Sequence, residues 1–79
     1  MKKTNRTLSE IAYEIKQKWS KVYFGAVPYL DAMMQLNSVN DNFGWDSGDS
    51  IVRYFLSNAT TWRGEDARRI KAELKQLIS

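Results

Sequence analysis

Seventy-nine residues with a formal net charge of +3 are enough for one hydrophobic core and too few for two. The chain has no Cys and no His, which excludes disulfide staples, thiolate or imidazole zinc sites, and the Ser-His-Asp and Cys-His arrangements of nucleophilic catalysis. No apolar run reaches the ~18–20 residues of a membrane span, so the expectation is a non-catalytic cytoplasmic protein, with no cofactor and no metal.

A core this small needs help from good packing or self-association, and the three Trp, four Tyr and three Phe are the material for it. Charge is unevenly spread. Residues 1–21 carry six Lys/Arg against two acids, residues 22–50 carry four Asp and no base, and residues 51–79 carry six Lys/Arg against three acids. An acidic middle between basic ends suits pairing within or between chains.

Residues 1–6 are polar and basic and read as a flexible tail, leaving 7–79 as a single helical domain. The basic start is not followed by the apolar stretch of a signal peptide, because Ser9, Glu10 and Glu14 interrupt it. From Leu8 the apolar positions Leu8, Ile11, Ala12, Ile15 and Trp19 fall on one helix face. Thr7 with Glu10 forms a capping-box pattern. Glu14 and Lys18, one turn apart, are expected on the solvent side.

Pro28 is at ease only in a helix's first turn, so a second helix is expected from Gly25–Val27 to Leu36, with Ala26, Leu30, Met33 and Met34 inward. Of the adjacent Met33 and Met34, one should face outward or into a dimer. The run NSVNDNFGWDSGDS, residues 37–50, is rich in turn formers. A loop of that length is uncommon unless functional or pinned down, and Phe43 and Trp45 are the expected pins. It lacks the register and the closing Glu of a calcium loop. Ser47 and Ser50 offer caps for a third helix, Asp49 to about Asn58, with Ile51, Val52, Phe55, Leu56 and Ala59 inward.

Thr60 or Thr61 is expected to cap a fourth helix whose inner positions are Ala67, Ile70, Leu74, Leu77 and Ile78. Acids at Glu65 and Asp66 and a base at Lys75 suit its dipole. On this reading Gly64 lies inside the helix, where glycine costs about 1 kcal/mol relative to alanine, so a close neighbour should explain it. Trp62 is expected to fill the corner. The fold class is all-α: a compact bundle of about four helices with one long loop between helices two and three.

Two surfaces compete as binding sites. The first is the acidic, aromatic loop: Asp41, Phe43, Trp45, Asp46 and Asp49, bordered by Tyr23 and Tyr29, which fits a protein partner and repels nucleic acid. The remaining rings are expected to pack inside or under the loop. The second is the basic face of helix four, Arg63, Arg68, Lys71 and Lys75, which could track phosphates; Arg69 is expected to pair with Glu73. A helix-turn-helix reading of residues 50–75 fails on its own terms. The corner Asn58-Ala59-Thr60-Thr61 lacks a glycine, and Glu65 and Asp66 would stand where bases are contacted.

The segments YFGAVPYLDAM and SIVRYFLSNATTWRGEDARRIKAEL resemble small orphan proteins carried by phages and mobile elements of Gram-positive bacteria, most specifically over Tyr54–Leu74. The resemblance carries over no functional residues. It implies a setting in which small proteins act by stoichiometric binding of a host or phage protein, including inhibition of host defences such as CRISPR nucleases. The expected function is therefore a protein-binding module, with nucleic-acid binding through the C-terminal helix as the alternative and a homodimer as a further option.

Overall fold

The structure is a computed structural model and describes residues 6–78. Its elements are α1 (Leu8–Lys18), a 3₁₀ turn (Phe24–Ala26), α2 (Val27–Met33), β1 (Asn42–Phe43), β2 (Asp46–Ser47), α3 (Gly48–Ser57) and α4 (Glu65–Ile78). The chain is mostly helical, as its periodicity predicts, but not wholly so. The expected long loop folds partway into an antiparallel hairpin in which Asn42 faces Ser47 and Phe43 faces Asp46.

α1 forms as read. Thr7 Oγ1 accepts from the Glu10 N–H at 3.1 Å while Glu10 Oε1 accepts from the Thr7 N–H at 2.8 Å, a reciprocal cap. Two further N–H groups of its open first turn, those of Leu8 and Ser9, donate to the Asn37 and Leu36 carbonyls at 3.1 and 3.0 Å. The N-terminus of α1 thus rests on the chain leaving α2. Pro28 sits at the start of α2, and Ala26, Leu30 and Met33 are buried. α2 ends at Met33, three residues short of the expected Leu36, and Met34 is half-buried against the core.

α3 begins one residue earlier than predicted, at Gly48, capped by Ser47 Oγ, which accepts from the Ser50 N–H at 3.1 Å. Its first two N–H groups donate to loop carbonyls, Gly48 to Asp41 at 2.7 Å and Asp49 to Val39 at 3.0 Å. These bonds, and not Phe43 and Trp45, pin the loop. Asp41 completes the tie by accepting from the Asn37 and Ser38 N–H groups at 2.9 and 3.1 Å. Glycine is required at 48 because a Cβ there would stand 2.7 Å from the Ser38 carbonyl oxygen and 2.9 Å from the Val39 Cα.

α4 starts at Glu65, later than a Thr60 or Thr61 cap would place it. Gly64 is not inside the helix. It takes φ +111°, a conformation only glycine adopts readily, and nothing lies within 4 Å of where its Cβ would be, so backbone geometry and not a close neighbour explains it. The core joins Leu8, Ile11, Ile15 and Trp19 of the α1 segment to Leu30 and Met33, to Ile51, Val52 and Phe55, and to Ala67, Ile70 and Leu74. Phe55, fully buried, contributes on the order of 1.5–3 kcal/mol through burial. Leu77 and Ile78 pack partly against this core.

Candidate functional site

The acidic loop closes into its hairpin through Gly44 and Trp45. Gly44 has φ +63° and, among the described residues, no non-glycine has a positive φ, the sign pattern of a type II′ turn with glycine at its first central position. That turn leaves Trp45 at the tip with 103% relative exposure. Phe43 and its cross-strand partner Asp46 stand beside it, both exposed. The other two predicted residues of this face are at the hairpin's base and have structural work there. The Asp41 carboxylate holds the Asn37 and Ser38 N–H groups, and Asp49 pairs with Arg53 at 2.6 Å one turn on.

Trp45 is therefore presented on a frame that does not depend on it. The hairpin's base is fixed by backbone hydrogen bonds from α3, and the Trp45 ring adds no buried area to the core. A large amphipathic ring held out by a short, tied turn loses little conformational freedom on binding, which is the physical profile of an interface anchor.

Half of the other aromatics are outside as well. Tyr13, Tyr23, Phe24 and Tyr54 are exposed, Phe24 at 79%, which overturns the expectation that nearly all rings pack inside. The domain buries Trp19, Phe55 and Trp62. Nor do Tyr23 and Tyr29 border the hairpin. Tyr23 stacks beside Phe24 at 4.9 Å between ring centroids, and Tyr29 meets Tyr54 at 5.5 Å. A Cβ on Gly25 would fall 2.5 Å from the Tyr23 ring and 2.9 Å from Asn58 Oδ1. This second patch thus lies toward the C-terminal end of α3, roughly 15 Å of helix away from the hairpin at its N-terminal end. Sequence proximity gathered these rings into one set; the antiparallel course of α2 and α3 separates them.

On α4 the predicted basic stripe is interrupted. Lys71 does not face solvent. Its Nζ donates to the Ala59 and Trp62 carbonyls, both at 2.7 Å, and lies 6.0 Å from the centroid of the Trp62 ring. Burial, then the like charges of Lys75 and Arg63, lowers its pKa from the ordinary lysine value. Trp62 itself is 4% exposed and stacks on Trp19 at 5.4 Å and 9°, as a corner-filling role predicts. Arg63, Arg68 and Lys75 are exposed. The connection from Asn58 to Gly64 is too long for a helix-turn-helix turn of ~3–4 residues.

The remaining charges are organised differently from the local pairs expected. Glu14 does not face solvent opposite Lys18. It takes Arg6 at 2.8 Å and Arg69 at 2.7 Å, and Arg6 also holds Glu73 at 2.6 Å. Arg69 therefore reaches Glu14 and Asp66 instead of Glu73. The hydrogen bonds from Arg69 and then Arg6 lower the Glu14 pKa to about 2. Of the predicted tail, residues 1–5 lie outside the described residues; Arg6 clamps α1 to α4. Periodicity could not reveal this network, because its members are 8, 55 and 67 residues apart in sequence.

Among the described residues no three Asp, Glu, His or Cys side chains converge as a metal site would require, and no helix is long and apolar enough to cross a membrane. No protein-family model, curated protein or solved structure matches the chain.

Proposed function

We propose that this domain is a non-catalytic binding module that engages a protein partner through the hairpin, with Trp45 as the anchor and Phe43 and Asp46 beside it. The observation that carries this reading is the full exposure of Trp45 at the tip of a turn whose base is hydrogen-bonded to the N-terminus of α3. Asp41 and Asp49 act one step back: the Asp41 carboxylate holds the Asn37 and Ser38 N–H groups, and the Asp49 N–H bonds the Val39 carbonyl while its carboxylate pairs with Arg53. A face of this kind disfavours nucleic acid and suits a partner with an apolar pocket rimmed by bases. Inhibition of a host defence such as a CRISPR nuclease by a small phage or mobile-element protein is one form that such stoichiometric binding takes.

The nucleic-acid alternative has less support. Its phosphate-tracking stripe needs Lys71, whose ammonium is spent on two backbone carbonyls. The test is affinity capture from nuclease-treated host lysate with the full chain and with Trp45→Ala. The expected result is a stoichiometric protein partner that the wild type retains and the variant loses, at unchanged stability. Retention of that partner by Trp45→Ala, or partners that vanish with nuclease, would overturn the assignment.

A further inference from the structure

The chain has five arginines, and the structure divides them sharply. Arg6, Arg53 and Arg69 each hold a carboxylate at 3.0 Å or less. Arg63 and Arg68 make no side-chain hydrogen bond or ion pair among the described residues. Both line the same groove, of about 310 Å³, with Trp62, Gly64, Ala67 and Lys71 as its other lining residues. No acidic side chain lines it. In sequence Glu65 is the acid nearest Arg63 and Asp66 the acid nearest Arg68; Asp66 is engaged by Arg69 at 3.0 Å, and neither lines the groove.

We propose that this groove binds the terminal phosphate of a phosphomonoester, with Arg63 and Arg68 as its two guanidinium ligands and Lys71 as a fixed positive charge at its side. The site is distinct from the hairpin and does not rest on the reading given above.

Three observations favour a compact dianion over a polyanionic track. Arg63 from the corner and Arg68 and Lys71 from α4 line one groove, and the Lys71 ammonium is turned from the helix's outer face to the Ala59 and Trp62 carbonyls. A phosphomonoester, about −1.5 to −2 with three acceptor oxygens, offsets more of the charge of two guanidinium forks and one ammonium than a carboxylate or a phosphodiester, each −1, would. Lys71 also feels the like charges of Lys75 and Arg63, so an anion between them relieves a repulsion already present. Guanidinium groups suit this ligand because their planar forks meet two phosphate oxygens at once.

The test is a titration of the ¹⁵N-labelled full chain with phenyl phosphate, followed on the Trp62 indole N–H and the backbone amides of Arg63 to Lys71. A saturable shift confined to those residues is expected. Arg63→Gln and Arg68→Gln, both exposed and outside the core, should each weaken binding about tenfold. Lowering the pH from about 7.5 to about 5 should weaken it by a further factor of about ten, as the ligand passes its second pKa near 6 and becomes a monoanion. Non-saturating shifts, or unchanged affinity in both arginine variants, would overturn the proposal. So would tighter binding of an oligonucleotide with hydroxyl ends that depends on Lys75, which would replace the phosphomonoester site with an extended phosphate surface.

Discussion

Two connections in this molecule are built from the same ingredients and come to opposite ends. The hairpin region before α3 and the corner before α4 are both polar, and each carries one positive-φ glycine, Gly44 and Gly64, and one tryptophan. Trp45 ends fully in solvent and Trp62 ends 4% exposed. The difference lies in what satisfies each backbone. The hairpin closes through its own strand pairing and through carbonyls offered to the first N–H groups of α3, so its ring is not needed for closure. The corner has little internal pairing. Its Ala59 and Trp62 carbonyls are taken by a lysine from α4, and its ring is taken by Trp19. A connection that satisfies its own polar groups can release its aromatic for another use; one that cannot must bury it.

The comparison would break most visibly at the corner. Trp62→Ala should remove the Trp19 stack and leave a cavity, costing about 3–5 kcal/mol in urea unfolding. Because a domain of this size has a slim margin, the variant should be largely unfolded at 37 °C by circular dichroism. A loss below about 1 kcal/mol would mean that the corner, like the hairpin, holds itself.

The hairpin's independence of its ring rests on its base, and Gly48→Ala tests that base. The added Cβ meets backbone at 2.7 and 2.9 Å, so a loss of about 1–3 kcal/mol is expected. Amide exchange should quicken first at Gly48 and Asp49, whose N–H groups bond to the loop. Unchanged exchange there would show that other contacts fix the hairpin.

The clamp that keeps α4 against α1, and hence the corner in place, is sensitive to acid. Glu14 falls from 4.5 to about 2 on folding. The unfolded chain therefore binds the proton more readily, and the clamp's contribution is complete above about pH 4.5 and lost as pH falls toward 2. Arg6 and Arg69 are partly exposed to solvent, which limits the effect to about 1 kcal/mol or less. The pH dependence of the urea midpoint should flatten across that window in Glu14→Gln.

The smallest effect is expected where the exposed ring is greatest. Trp45→Ala should change stability by no more than about 0.5 kcal/mol, with an unfolding midpoint superimposable on that of the wild type. A larger loss would mean that the tryptophan is part of the fold, and the contrast with Trp62 would collapse.

The sequence was most legible where the signal was local and periodic. The 3.6-residue spacing of Leu8, Ile11, Ala12 and Ile15 and the Thr7–Glu10 box specify α1 without reference to anything else. Ile51, Val52 and Phe55, and Ala67, Ile70 and Leu74, do the same for the inner faces of α3 and α4. The start of α4 was misjudged because threonine is a good cap wherever a helix begins, and only the φ of Gly64 shows that this one begins later.

What spacing could not decide was which polar and aromatic groups would meet across the chain. Helix faces are fixed by neighbours three and four residues apart, whereas Arg6 with Glu73, Trp19 with Trp62 and Lys71 with Ala59 depend on how the helices close on one another. The tertiary structure therefore decided which tryptophan is core and which stays in solvent, and it tied Lys71 to the Ala59 and Trp62 carbonyls. Sequence alone determined the helices and their buried faces, because those follow from the geometry of one turn. The exposed sites followed only from packing, because a residue is left outside when no other element has a place for it.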